Sequence, residues 1–362
     1  MPDILTTMEQ TTIEPVPVVW SPATLEHVPE REIWVGVSTA GTEVPDRVTS
    51  IRDHLVANGH RLVAAAVHDD AVLEQVHEPA FLAHLRSVYA TWVSSGFVDD
   101  PGQDRVVPYV FPTEAMLGPI AAHRATAIHG RAGQFCYDTM TLVGPGTWEA
   151  ARAAVDCALS AVELLNTGAR AAYALCRPPG HHVTRSAYGG SCYLNNAAVA
   201  AQALIGAGHG RVAVVDVDAH HGNGTAAIFY DRADVFYGSV HVDPAAGWFP
   251  HFVGHADETG AGAADGTTLN IPLRPGSGDA EFLAGLDRVV AAVVEHGSTA
   301  LVVSLGVDAA ADDPESPLRV TAAGYARAGS LLMHEIGLPV VAVQEGGYHL
   351  PTLGPLVEGF LR

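Results

Sequence analysis

From about residue 170 onward, short β-branched runs alternate with Ala- and Leu-rich segments of helical period, and nothing else in the chain constrains its fold as strongly. The runs are Ala171–Cys176, Arg211–Asp218, Val235–His241, Ala300–Gly306 and Pro339–Gln344. Several are apolar at every position, as strands are when helices cover both faces of a parallel sheet. Between them, Glu281–His296 and Thr321–Ile336 keep a helical repeat, and a glycine follows each. Upstream, Thr147 is placed to cap a helix in which Trp148, Ala151, Val155, Ala158, Leu159 and Val162 share a face, with Gly168 past its end. The pattern predicts an α/β chain built on a parallel, doubly wound sheet flanked by helices. One segment breaks the rhythm: Gly96 to Pro119 holds four prolines with Asp99, Asp100 and Asp104, and reads as a long surface loop.

Composition narrows the function classes. Hydrophobic residues make up 48% of the 362 and charged ones 16%, ample for a buried core. The net charge of −21 disfavours nucleic acid and anionic membrane as partners and suits a cationic one. Every base is an arginine, which reads as composition bias rather than chemistry. Cys136, Cys157, Cys176 and Cys192 show no metal-binding or disulfide spacing and read as reduced thiols. No base precedes Arg31, so a signal peptide is not expected, and the stretch without charged side chains, Ser186 to Gly210, is too polar to span a membrane. The expectation is a cytoplasmic protein.

In an open α/β sheet, ligands sit beyond the carboxyl ends of the strands. Four candidate strands end in reactive residues: His181 and His182 follow the first, Asp216, Asp218, His220 and Asn223 the second, Asp308 the fourth, and Tyr348 the fifth. In isolation, Asp216 and Asp218 read as helix caps, and the His pairs as ordinary loop residues. Convergence at one sheet edge changes that balance. Asp218 and His220 lie two apart and project to one side of an extended segment, and with Asp308 they form a three-ligand N/O set of the kind zinc accepts. Buried carboxylates need a compensating charge, which a cation supplies. His181 and His182 then stand where a general base is needed. Asp216 and Asn223 can each accept a ring N–H, the Asp favouring imidazolium and the neutral Asn leaving its partner free to exchange a proton. The Tyr348 hydroxyl can donate to a carbonyl oxygen as charge develops on it.

The blocks RPPGHH (177–182), GGSCYLNNAAVAA (189–201), DVDAHHGNGT (216–225), SLGVD (304–308) and EGGY (345–348) resemble, in order and spacing, the histone deacetylase family with its arginase-like fold. Within it, PGTWEAA (145–151), VHVDPAAGWFP (240–250) and ADETGAGAADGTTLNIPL (256–273) are most similar to the bacterial acetylpolyamine amidohydrolases. The resemblance implies a single three-layer α/β domain over 18–362, a tail at 1–17, and an insertion at about 96–119 that forms a homodimer or higher homo-oligomer. It implies one zinc held by Asp218, His220 and Asp308, His182 as general base and acid with His181 as its electrostatic companion, and Tyr348 as oxyanion donor. It also implies a monovalent cation site, K⁺, at Asp216, Ser239 and Val240. The reaction implied is hydrolysis of an N-acylated amine such as an acetylpolyamine or acetyl-lysine.

Departures concern the substrate. Gly190, Ser191, Phe249 and Glu315 fall at substrate-binding positions of the family. Phe249 matches one of two aromatics that usually pinch the channel, while Ser191 occupies the other position and implies an open wall. Glu315 falls where a polyamine-specific branch carries a gatekeeping Glu. His129 and Met140 stand where bacterial relatives carry acids, and Arg185 adds a positive charge that is expected near the mouth. A deacylase of a bulkier amide, a non-catalytic binding protein and a two-metal hydrolase of this fold stay open as alternatives.

Overall fold

The computed structural model describes residues 15–362, so most of the expected tail lies outside the described residues. The central sheet comprises β1 (Val18–Trp20), β4 (Leu62–Ala64), β5 (Ala171–Ala174), β6 (Val212–Asp216), β7 (Val235–Val242), β8 (Thr268–Leu273), β9 (Ala300–Leu305) and β10 (Val340–Gln344), while β2 (Arg31–Trp34) and β3 (Val37–Ala40) form a separate antiparallel ribbon. The sheet order is β4-β1-β5-β10-β9-β6-β7-β8, and every pairing is parallel. Alternate residues of the strands feed two cores. Ala172, Val212, Val214, Val302 and Val341 pack on one face beneath the helices Pro79–Ser94, Thr147–Asn166 and Asn196–Gly206. Tyr173, Ala213, Val215, Val303 and Ala342 pack on the other beneath Asp46–Ala57, Asp279–His296 and Leu350–Leu361. The result is the three-layer α/β domain; four of the strands read from sequence are one or two residues shorter at an end, and β7 runs one residue longer, to Val242.

Four differences from the sequence reading are informative. β8 was not anticipated, because Asn270 and Pro272 break its apolar pattern. It lies at the sheet edge, where a proline costs no inward hydrogen bond. Thr147 does not cap its helix: Gly146 does, and the Thr147 hydroxyl instead accepts the Gly144 N–H at 3.0 Å and meets His27 Nδ1 at 3.0 Å. The segment expected as one helix from Thr321 to Ile336 is α-helical over Ala322–Gly329, capped by the Thr321 hydroxyl, and then widens over Ser330–Glu335, where the Ile336 N–H reaches back to Leu331 O. The Gly96–Pro119 segment is not wholly a surface loop. Phe97 stacks on Trp92 at 4.3 Å, Val106 pairs with Val143, and Arg105 is buried, while 99–102 and the second half, with Tyr109 and Met116, are exposed.

β5, β10, β9 and β6 are the four central neighbours, and their carboxyl ends open on one edge. Residues far apart in the chain, from His181 to Tyr348, are thereby brought together by strand pairing alone. The register of β6 against β9 places Asp216 opposite Ser304, so Asp218 and Asp308 both lie just past the paired region.

Candidate functional site

Past the end of β6, Asp218 and His220 meet Asp308 from the end of β9. His220 Nδ1 lies 3.3 Å from Asp218 Oδ1 and 3.0 Å from Asp308 Oδ2, and donor atoms of all three residues lie within 4.8 Å of one another. Both carboxylates are fully buried. The backbone fixes their orientation: Asp218 Oδ2 accepts the Gly346 N–H at 2.7 Å, and Asp308 Oδ1 accepts the Ala219 N–H at 2.7 Å, leaving Asp308 Oδ2 for the cluster. Gly346 is required here, because a Cβ would stand 2.5 Å from Asp218 Oδ2 and 2.5 Å from Asp308 Oδ2.

Electrostatics show how much this cluster calls for a cation. Burial raises the Asp308 carboxyl and the charge of Asp218 raises it further, to about 7. Burial opposes charge on Asp218 too, yet His181 and His220 outweigh it and hold that group far below the usual carboxylate range. Two carboxylates and an imidazole, paired with one another and short of positive charge, fit a divalent cation with N/O preference. A second cluster, His181, Cys192 and Glu345, does not fit. Glu345 Oε2 already accepts the N–H groups of Gly180 and His181, and burial drives the Cys192 thiol well above its ordinary pKa.

The two histidines after β5 stand beside the cluster with ring centroids 4.0 Å apart. His181 Nδ1 is 3.1 Å from Asp216 Oδ2, and His182 Nδ1 is 2.7 Å from Asn223 Oδ1, so the two residues expected to accept a ring N–H take one histidine each. The consequence is opposite for the two rings. Burial disfavours charge on His181, but Asp218 and Asp216 outweigh it and push its pKa up to about 10. On His182, burial and then the charges of His181 and His220 lower the pKa well below the ordinary value. With Asn223 Oδ1 accepting from Nδ1, the lone pair of the neutral His182 ring is on Nε2, and the residue lines the cavity.

The cavity, about 1130 Å³, runs outward from His182, His220 and Tyr348. It takes in Gly190, Ser191, Phe249, Met140 and Glu315. Gly190 adopts φ +58, and a Cβ there would stand 2.3 Å from His182 Cδ2, so this turn touches the histidine ring itself. Phe249 meets His182 edge-on at 4.8 Å. Ser191 leaves its position open, yet an aromatic still flanks the passage: Tyr137 lies parallel to Phe249 at 6.3 Å and donates its hydroxyl to His182 O at 2.8 Å. Burial, partly offset by Arg47, and then Asp308 and Asp218 keep the Tyr348 hydroxyl protonated far above neutral pH.

Two expected neighbours are absent from this cavity. Arg185 is exposed and lines a separate small pocket with Tyr230 and Arg232, and its carbonyl accepts the Glu78 N–H. His129 packs between Phe97 and Tyr109. Ser239 and Val240 lie within β7 next to Asp216, buried, with the Ser239 hydroxyl 2.7 Å from His241 Nδ1.

Residues missed in the sequence also line the cavity. Glu32 comes from the β2–β3 ribbon; burial and then Glu315 push its pKa up to about 7. Asp138 accepts the N–H groups of Gly190, Met140 and Thr141 and so fixes the turn at Ser191. No motif flags Glu32, whereas Tyr137-Asp138 stands out only as a polar pair inside an otherwise apolar stretch.

Comparison with known proteins agrees with this geometry. Residues 41–362 match the histone deacetylase domain. The chain is 39% identical over 301 residues to the acetylpolyamine amidohydrolase of Mycoplana ramosa, covering 83% of this chain and 85% of that one. It is 38% identical over 331 residues to acetylpolyamine amidohydrolase 1 of Pseudomonas aeruginosa, covering 91% and 92%. The crystal structure of an acetylpolyamine aminohydrolase from Burkholderia pseudomallei superposes with a TM-score of 0.89 at 37% identity, over 95% of this chain and 97% of that one.

Because Gly346 borders both carboxylates, Gly346→Ala should weaken divalent metal binding by about 10–100-fold while the chain stays folded. Metal titration beside far-UV circular dichroism checks this; unchanged affinity contradicts it.

Proposed function

The chain belongs to the histone deacetylase family, and from that premise we propose that it is a zinc-dependent amidohydrolase removing an acetyl group from a cationic amine, an acetylated polyamine foremost. The observation that carries this reading is the pair of dyads, His181–Asp216 and His182–Asn223, standing against the cluster of Asp218, His220 and Asp308. Held by those three residues, zinc would supply Lewis acidity toward the amide carbonyl and acidify a water molecule.

The remaining work falls to side chains. His182, neutral and with its Nε2 lone pair toward the cavity, accepts the proton of the attacking water. His181, kept charged by Asp216 and Asp218, steadies the negative charge that builds nearby and stays out of proton exchange. The Tyr348 hydroxyl donates to the carbonyl oxygen. The C–N bond then breaks, and His182 returns its proton to the departing amine. Water has added to the acyl carbon, and a carboxylic acid and an amine leave. Glu32 and Glu315 attract the remote ammonium of the substrate.

Further parts of the reading rest on chemistry of the same kind. K⁺ at Asp216, Ser239 and Val240 would share the load of the buried Asp216 carboxylate. Exposed Tyr109, Met116 and Ile120 on and beside the inserted segment support a homodimer or higher homo-oligomer. Four buried, unpaired cysteines support a cytoplasmic location, and no helix among the described residues is long and apolar enough to cross a membrane. A second reading, a deacylase of longer acyl groups, is favoured by Ser191 at the wall of the cavity.

On zinc-loaded protein, His182→Ala should lower kcat/KM for a monoacetylated diamine by about 10²–10⁴-fold, and Tyr348→Phe should lower kcat by about 10²–10³-fold. Wild-type turnover no faster than His182→Ala removes the deacetylase reading. Glu32 is neutral below its pKa of about 7 and ionised above it, so KM for a charged amine should fall as pH rises through that value. Glu32→Gln should flatten that profile, and a wild-type profile already flat argues against Glu32 as a substrate contact. Ser191→Phe should narrow acyl-length tolerance, measured as the octanoyl-to-acetyl ratio of kcat/KM; an unchanged ratio counts against the second reading.

A further inference from the structure

Tyr348 follows two glycines, Gly346 and Gly347, the latter at φ +122, so its own segment does little to hold it in place. The stiffness comes from elsewhere, through two side chains of opposite charge. Arg47 donates to the carbonyls of Glu345, at 2.6 Å, and of Gly347, and its guanidinium lies 4.6 Å over the Tyr348 ring. Asp313 takes the other half of the turn: its Oδ2 accepts the N–H of Tyr348 at 2.6 Å and of His349 at 3.2 Å. Its Oδ1 accepts the N–H of Glu315 at 3.0 Å. Asp313 is 7% exposed, and burial raises its carboxyl above the ordinary value against the pull of these N–H groups. It also sits on a firm base, because the Asp313 N–H reaches Ala310 O, and Ala311 and Ala309 bond to Val320.

We propose that Asp313 is a positioning residue that ties the turn bearing Tyr348 to the turn bearing Glu315, so that one carboxylate sets the span between the two ends of the substrate. What those ends meet rests on the function proposed above: the Tyr348 hydroxyl faces the acyl oxygen, and Glu315 faces the remote ammonium. A tertiary helix cap for Leu350–Leu361 would need only the two N–H groups of 348 and 349. The third bond, to Glu315 two residues along, has no capping role; it shapes the 313–315 turn with the same carboxylate whose other oxygen reaches Tyr348 and His349, 35 and 36 residues away. Local order at one turn therefore depends on the other. An asparagine is the same size but has one acceptor oxygen, so Asp313→Asn turns an NH₂ against a backbone N–H on one arm and breaks the tie.

The test uses the full chain loaded with zinc, with a monoacetylated diamine and an uncharged N-alkylacetamide of equal length as substrates. Asp313→Asn should lower kcat on both by about 10–100-fold, and shrink the KM preference for the charged substrate toward that of Glu315→Ala. The double variant Asp313→Asn/Tyr348→Phe should be no slower than Tyr348→Phe alone, within about threefold, because Asp313 acts through Tyr348. A second readout needs no turnover. Amide hydrogen exchange should speed up at both 313–315 and 346–349 in the variant, and cadaverine should slow exchange at Tyr348 and His349 in wild type only. Multiplicative losses in the double variant, exchange changes confined to one turn, or a lowered Tm with kcat and KM preference intact would each overturn the proposal. Should wild type hydrolyse neither substrate, the functional reading falls while the exchange data still decide on the tie.

Discussion

Asp218 and Asp308 reach past two neighbouring strands and come to rest side by side, fully buried, with imidazoles as the positive groups beside them. Removing two carboxylates from water without a compensating charge is costly, and burial with the neighbouring Asp218 charge pushes the Asp308 carboxyl up to about 7. Most features of the edge follow from this tension. Gly346 lacks a side chain because the carboxylates occupy the space, and His181 is charged because Asp218 and Asp216 outweigh its burial. His182, one residue on, is kept neutral by burial and then by the charges of His181 and His220. Neighbouring histidines thus differ in protonation because carboxylates outweigh burial beside one, while burial and charged imidazoles act together on the other.

A scaffold has to absorb that cost, and the parallel sheet does so by being dry on both faces. Val212 to Val215, Val302, Val303 and Val341 to Val343 carry no polar side chains among them, and helices cover each side. In β6, β9 and β10 the polar residues gather toward the carboxyl ends, as Asp216, Ser304 and Gln344, and just past them backbone N–H groups freed from the ladder become donors to Asp218, Asp308 and Glu345. Sheet geometry supplies the orientation, and burial supplies the strength of each hydrogen bond.

The fold class and the edge cluster were readable in the sequence because both depend on short-range patterns. A strand's apolar run predicts its burial, and the residues just after it must lie at the sheet's edge; that logic alone brings Asp218, His220, Asp308, His181, His182 and Tyr348 together. What escaped depends on contacts between distant segments. Glu32 lies on a ribbon outside the sheet, in a stretch with no repeat or spacing to announce a role. β8 hides behind Asn270 and Pro272, which an edge position tolerates. Arg185, three residues past the His pair, lines a different pocket with Tyr230 and Arg232. Tyr137 replaces an aromatic that position 191 lacks, a substitution in space that only the folded chain reveals.

The β2–β3 ribbon has an energetic consequence of its own. Four-residue strands paired only with each other are marginal in water, and this ribbon is fastened to the body by few bonds, among them Arg31 to Gln103 and Thr139 to Ile33 O. Its opening therefore costs far less free energy than any opening of the central sheet. Glu32 rides on the least cooperative part of the molecule, while the edge cluster rides on the most cooperative. An amine held at both ends would restrict the ribbon's motion as well as gain its charge, so the entropy of a short hairpin enters the affinity of the whole cavity.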